Sequence, residues 1–291
     1  MILITGATGN NGSELLRQLS ATGTPTRAFV RDKRKTNPIG FPGIEIVEGD
    51  FSRPETFMRA LDGVDRLFLL IPSSALAEAR QCRFVDAARR SGVKHIVKLS
   101  QFGADPDSPC RFQRAHGAVE DHIRSSGMDY TFLRPNLFMQ GILNFRSTIA
   151  FQGVFYACAG TARVSIVDVR DIATMASLAL TESGHEGKTY EITGPESLTH
   201  VEMAEMLSEV TGRAVSYVEI SPDSMRHVLL DLGMSAWQAD GVIEDYEAYR
   251  RGDSERVTTT VEDVAGVFPM TFEEFARDYA SEFRAPSAGA A

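Results

Sequence analysis

Cysteine is scarce. The three in 291 residues, Cys82, Cys110 and Cys158, are too few and too scattered for a disulfide framework or a thiolate metal site, so a reducing compartment, the cytoplasm, is the expectation. Long apolar runs are absent as well: nothing approaches the ~20 residues that span a bilayer, and the N-terminus opens into a strand-like run without a basic leader segment. Neither export nor membrane insertion is expected. Basic residues are outnumbered, 30 Lys and Arg against 39 Asp and Glu for a formal charge of -9. Nucleic acid is therefore an unsuitable partner, because neutralising phosphates needs a broad cationic face. No fixed-period repeat occurs, and a chain 43% hydrophobic and 24% charged is neither disordered nor fibrous.

What the chain does have is alternation. Short apolar runs at 2–5, 26–30, 44–47, 65–71, 95–99 and 130–134 are separated by helix-length amphipathic stretches at 11–22, 54–62, 75–91 and 112–126. Gly23, Gly63, Gly92 and Gly127 follow those stretches, where left-handed caps belong. Repeated strand-helix units of this kind predict a doubly wound parallel α/β sheet of Rossmann type. The almost unbroken Leu67-Phe68-Leu69-Leu70-Ile71 suits a strand covered on both faces.

After Pro135 the rhythm loosens. We read 136–149 as a helix or long loop, Gly153 to Tyr156 and Val164 to Val167 as short strands, 168–181 as a helix and 189–193 as a strand. Two capping boxes, Thr199 with Glu202 and Thr271 with Glu274, open later helices. The expected division is a dinucleotide-binding domain over 1–135, its sheet extended by strands within 153–193. A mostly helical substrate lobe over 136–152 and 195–283 and a frayed tail at 284–291 complete it.

The densest chemical signal is at the start. Strand Ile2-Leu3-Ile4-Thr5 runs into Gly6-Ala7-Thr8-Gly9-Asn10-Asn11-Gly12 and then a helix, with glycines three apart. In such a turn the first glycine permits the bend, the second lets backbone approach a pyrophosphate, and the third lets helix pack on strand, while the helix N-terminus favours negative charge. Thr8, Asn10 and Asn11 add side-chain donors. At the end of the second strand, a carboxylate would select NAD and a cation would accommodate the 2′-phosphate of NADP. Here the run is Arg31-Asp32-Lys33-Arg34-Lys35, and Arg31 with Lys35 points to NADP(H) over NAD(H). The bland alternative is a solvated basic loop.

Other candidates lie where the remaining strands end, since ligands of open α/β sheets sit outside the carboxyl ends. These are Asp50 and Phe51 for the adenine, Ile71, Pro72 and Ser73 after the fourth strand, Ser100, Gln101 and Phe102 after the fifth, and Pro135 and Phe138 after the sixth. Asp50 has an equally good reading as a turn cap.

Together these features resemble the NmrA-like family, an atypical branch of the short-chain dehydrogenases and reductases. The matching residues are the glycine turn, Arg31 with Lys35, Gly49-Asp50-Phe51, Ser100, His116-Gly117-Ala118-Val119-Glu120, and the run from Ser126 through Tyr130 to Asn136. The resemblance extends to Phe272-Glu273-Glu274-Phe275-Ala276. It implies either a reductase of quinone, triphenylmethane-dye or imine-like acceptors, or a regulator that binds dinucleotide without turnover. Ordinary members of the superfamily use a Tyr-x-x-x-Lys pair, whose lysine lowers the tyrosine's pKa so that it can donate a proton. Aligned on Glu120, this chain has Phe112 and His116 instead.

His116 then reads in two ways. It can hydrogen-bond the nicotinamide ribose or donate a proton, or it can be a helix-face residue held by Glu120 four positions on. The function expected is an NADPH-dependent reductase whose acceptor, an aromatic or conjugated small molecule, needs little acid assistance. Phe138, Met139, Phe145, Phe151, Phe155, Tyr156 and Trp237 are available to line its pocket. The alternative is a non-catalytic redox sensor acting through a regulatory protein partner. A homodimer is compatible with either.

Overall fold

Apolar strands that alternate with helices must be covered on both faces, and the computed structural model, which describes residues 1–35 and 40–284, has this layering. In chain order the first half contains β1 (Ile2–Ile4), α1 (Asn10–Ala21), β2 (Thr26–Val30), β3 (Ile44–Glu48), α2 (Phe57–Leu61), β4 (Arg66–Leu69), α3 (Ala77–Arg90), β5 (His95–Leu99), α4 (Arg111–Ser125) and β6 (Asp129–Pro135). Then come α5 (Arg146–Gln152), β7 (Val154–Ala157), α6 (Val169–Thr181), β8 (Lys188–Ile192), α7 (His200–Thr211) and β9 (Ser216–Glu219). The chain closes with α8 (Pro222–Asp231), α9 (Ala236–Arg250), α10 (Thr260–Ala265) and α11 (Phe272–Asp278).

Seven parallel strands form one sheet in the order β3-β2-β1-β4-β5-β6-β8. The order reverses between β1 and β4, which places the switch point, where ligands of such sheets bind, beside the glycine turn. Helices α1 and α6 pack together as one layer, and α2, α3 and α4 form another. The core on the α3 and α4 side gathers Leu3, Leu67, Leu69, Ile96 and Phe132 from the strands with Phe84, Val119 and Ile123 from the helices. Gly23, Gly63, Gly92 and Gly127 all take left-handed backbone, as expected.

The chain divides into two compact units. One comprises 1–135, 169–192 and 263–266, and the other 136–168, 193–262 and 267–291. Of the strands expected within 153–193, β8 extends the main sheet, whereas β7 pairs with β9 in a separate two-stranded parallel sheet. The expected strand at Val164 to Val167 is reduced to isolated bridges, Val164 with Leu198 and Val167 with Phe138. Its alternating neighbours mislead because Val164, Ser165, Ile166 and Val167 are all buried, so apolarity here reports core membership and not ladder pairing. The β9 strand falls inside a stretch expected to be helical.

The second unit packs Met139, Ile149, Phe155, Leu207, Phe272 and Phe275 in its core. Both expected capping boxes are formed, and Ser235 with Gln238 makes another at the start of α9. Among the described residues no helix is long and apolar enough to cross a membrane, and no group of side chains could hold a metal ion. The expected frayed tail lies, beyond Arg284, outside the described residues.

Phe84 is fully buried and contacts the rings of Phe29, Phe51 and Phe57, with centroids 5.6, 4.8 and 4.7 Å away. Truncating it opens a cavity that three surrounding aromatic side chains cannot fill by small shifts. Phe84→Ala is expected to cost about 3 to 5 kcal/mol, read as a lower urea midpoint; a change below ~1 kcal/mol would show that this cluster is loosely packed.

Candidate functional site

In the glycine turn each glycine meets a different constraint. Gly6 has φ +63° and its missing Cβ would meet the Leu70 side chain at 2.7 Å. A Cβ on Gly12 would lie 2.3 Å from the Gly6 carbonyl oxygen, so glycine is what allows α1 to start against the end of β1. Gly9 differs. Its φ of -88° suits any residue and its Cβ would meet only the Gly6 oxygen, at 3.4 Å, so nothing among the described residues demands glycine there. The space beside it is what its bareness preserves.

Among the described residues no side chain caps the N-terminus of α1, and its first turn carries no acidic residue. Thr8, Gly9 and Asn10 are exposed, whereas Asn11 is 6% exposed and its Oδ1 is buried without a partner. Uncapped helix N–H groups, a positive dipole end and an unsatisfied acceptor suited to a ligand hydroxyl fit a dinucleotide's phosphates and ribose.

Arg31 follows β2 at the same edge and is exposed. The neighbouring acid is already engaged: Arg34 donates from Nε and Nη2 to the two carboxylate oxygens of Asp32, at 3.0 Å each. The side chain of Lys35 lies outside the described residues. Asp50 accepts from the backbone N–H and the hydroxyl of Ser52 at 2.7 Å each, and these bonds, with Arg53 and Arg31 nearby, hold its carboxyl below the usual range. Its role as a turn cap is thus realised. Phe51 packs edge-on against Phe29 at 5.4 Å, and a Cβ on Gly49 would strike the Phe29 ring at 2.3 Å.

Along the edge, Ile71 and Ser73 are half-buried and Pro72 is exposed. The loop after β5 keeps pairing with β6, as Ser100 and Phe102 donate their N–H groups to the carbonyls of Leu133 and Pro135 at 2.7 and 2.9 Å. Gln101 between them is half-buried. Phe138 belongs to the second unit, half-buried where its strand-like backbone bridges Val167. Of the aromatic residues expected around an acceptor, Phe155 is in that unit's core, whereas Phe151 is 67% exposed.

The most concentrated polar chemistry surrounds α4. Glu120 is wholly buried and accepts from the Ser100 hydroxyl at 2.6 Å, from Arg134 Nε and Nη2 at 2.9 and 2.6 Å, and from Arg124 Nη2 at 3.1 Å. It therefore does not hold His116, and that reading is corrected. His116 is half-buried, and its Nδ1 lies 2.7 Å from Nζ of Lys98, which is wholly buried in β5. Burial lowers the Lys98 ammonium to about 7, with Arg134 opposing and Glu120 favouring its charge. Burial, and then the Lys98 charge, also keep the imidazole of His116 well below its ordinary range. Phe112, one turn earlier, is 9% exposed.

Lys98 was not among the sequence candidates. The one available signal is a lysine inside His95-Ile96-Val97-Lys98-Leu99, a strand of a sheet covered on both faces, where a solvated lysine has no place.

A seven-stranded Rossmann sheet with an open glycine turn at its switch point and a polar cluster at the same edge defines the class: NAD(P)H-dependent oxidoreductases. Comparison with known proteins is more specific. The model of the NmrA-like family matches residues 1–276. An NAD(P)H azoreductase of Xenophilus azovorans is 38% identical over 98% of this chain and 100% of its own. Among solved structures, an NADPH-dependent quinone oxidoreductase of Escherichia coli complexed with NADPH superposes with a TM-score of 0.85, at 28% identity over 96% of this chain and 99% of its own. A Citrobacter sp. triphenylmethane reductase complexed with NADP(H) gives 0.84, at 28% identity over 96% and 100%. The chain belongs to the NmrA-like family.

The two glycines separate binding from folding. Gly9→Val is expected to abolish dinucleotide binding in calorimetry while the melting temperature moves little, because its side chain enters only the open space. Gly12→Val drives carbons into the Gly6 carbonyl and is expected to destabilise by at least about 1 to 3 kcal/mol. Unchanged affinity in a folded Gly9→Val protein would remove the turn from the binding site.

Proposed function

We propose that the protein is an NADPH-dependent reductase that passes hydride to a quinone, dye, iminium or activated alkene. The observation that carries this reading is the make-up of α4, which presents buried Phe112 and half-buried His116 and contains neither tyrosine nor lysine. Without a phenol whose pKa a lysine lowers, a carbonyl that must be strongly protonated during hydride transfer is a poor acceptor. Delocalised acceptors, in which developing charge spreads over a conjugated system, are suitable ones. The acceptors named for the related proteins, azo compounds, a quinone and triphenylmethane dyes, are of this kind.

When bound, the reduced nicotinamide supplies the hydride. The chain's own residues bind and orient. Gly9 and the α1 N-terminus hold the pyrophosphate in a turn that Gly6 and Gly12 shape, Thr8, Asn10 and Asn11 add polar contacts, and Asp50, Phe51, Ile71, Pro72 and Ser73 line the groove. Ser100, Gln101, Phe102 and Pro135 border the nicotinamide end. Placement of the reacting atoms at roughly 3 to 3.5 Å is then most of what catalysis asks of the protein.

Arg31 and Lys35 select NADP(H). The support is that Arg31 is exposed and makes no ion pair among the described residues, while Asp32, the acid that would favour NAD, is neutralised by Arg34. One or two charge-assisted contacts of ~1.5 to 3 kcal/mol each are expected to separate the affinities for NADPH and NADH. Arg31→Ala with Lys35→Ala brings the two together; equal binding by the unmodified protein would leave the cluster a solvated loop.

Turnover is tested by NADPH oxidation against a panel of quinones, azo dyes and cationic dyes. Reduction of at least one class is expected. Tight NADPH binding with no turnover of any would replace the reductase with a non-catalytic sensor.

A further inference from the structure

We propose that Lys98 and His116 form a proton relay, with His116 Nε2 as the outer donor, serving those acceptors that must take up a proton together with hydride; this rests on the reductase reading above. Strand alternation places the relay. Ile96 and Lys98 of β5, with Ser100 just past its end, lie on one face of the sheet, and Phe132 and Arg134 of the neighbouring β6 lie on the same face. Both columns turn from apolar to polar toward the carboxyl ends of the strands, the edge where ligands of such sheets lie. His116 is in the first half of α4, which begins at that edge.

A purely structural purpose does not account for Lys98. Among the described residues its Nζ has two acceptors, His116 Nδ1 at 2.7 Å and the Leu99 carbonyl at 3.2 Å, and neither is a carboxylate. The buried carboxylate nearby, Glu120, is already neutralised by Arg134 and Arg124. A buried cation without an anionic partner is costly where Met or Leu would be favourable. Donation from the ammonium to Nδ1 does, however, fix the tautomer: the ring proton must sit on Nε2, which has no hydrogen-bond partner among the described residues.

The groups facing Lys98 are His116 and Glu120 from α4, Arg134 from β6 and Cys82 from α3. The Cys82 thiol is pushed up to about 11 by burial and stays neutral, and His116 stays neutral for the reasons above. Lys98, brought to about 7, is the member that titrates near neutrality. In the step itself the Nε2–H bond breaks as an O–H or N–H bond forms on the acceptor, while Nδ1 takes a proton from Nζ and leaves Lys98 an amine. Both electrons arrive with the hydride of the reduced dinucleotide; the relay resets when Nε2 takes a proton from water and Nδ1 returns its own to the Lys98 amine. A quinone or an azo bond needs one hydride and one proton; a cationic triarylmethane dye needs hydride alone.

That difference is the test. In Lys98→Met, kcat/KM for a quinone is expected to fall about 100-fold, and that for a cationic triarylmethane dye by less than ~3-fold, a near-neutral outcome beside a lost general acid. The quinone rate of the unmodified enzyme falls as pH rises through about 7, where the ammonium is lost, and the variant's does not. Lys98→Gln keeps a hydrogen-bond donor for Nδ1 but no transferable proton, so it must fail to rescue quinone reduction. Without dinucleotide, ¹⁵N NMR of the full chain is expected to show the Nε2–H tautomer of His116, titrating with the Lys98 midpoint and losing that titration in Lys98→Met. Parallel loss on both acceptors, rescue by Lys98→Gln, or unchanged quinone reduction in a folded Lys98→Met would overturn the relay. Failure of the unmodified protein to reduce either acceptor would instead overturn the reductase reading.

Discussion

The buried carboxylate of Glu120 is the constraint on which the sheet's functional edge depends. A wholly buried anion is tolerable only if its lone pairs are filled, and here Ser100 from the end of β5, Arg134 from β6 and Arg124 from its own helix fill them. Removing one partner of such a cluster typically costs ~3 to 5 kcal/mol, so the geometry is strongly specified. It ties α4 to two strands at a single point. Four residues back on the same helical face, His116 is thereby carried to Lys98, and the ammonium-imidazole contact follows from the carboxylate's demands.

A second constraint acts at the other side of the sheet's switch point, through the absence of side chains. Gly12 and Gly6 serve the chain itself, because α1 can leave β1 at this angle only if no Cβ lies between helix and carbonyl. Gly9 serves what the chain leaves room for. The same motif thus contains two glycines required for packing and one whose bareness faces outward. Basic and acidic residues beyond β2 divide in a similar way, with Arg34 consumed by Asp32 and Arg31 left toward solvent.

Under the reading proposed above, these two constraints separate a binding part of the edge from a proton-donating part. Phosphate recognition depends on backbone and on fixed charge, both present before any ligand arrives. Beside α4 stand an imidazole that burial keeps neutral and a lysine whose ammonium burial makes a readier acid, at about 7.

The parallel Rossmann sheet, its glycine turn, the helix caps and the capping boxes were legible in the sequence alone, because each depends on residues within a few positions of one another: strand periodicity, glycine at left-handed backbone, a hydroxyl paired with a glutamate three residues on. The pairing of β7 with β9 was not, since the two are separated by about sixty residues and their apolar patterns do not say which edge each will join. Val164 to Val167 misled because a short, mostly apolar segment looks the same in a strand and in an irregular core segment. The partner of His116 was hidden for a related reason. Helical spacing suggested Glu120, but two arginines and a serine from other elements claimed that carboxylate, and a lysine eighteen residues away in sequence took the imidazole. Local rules determine backbone conformation; which buried charges pair is decided only when strands and helices come together, because the free energy of burying a charge depends on every group that surrounds it.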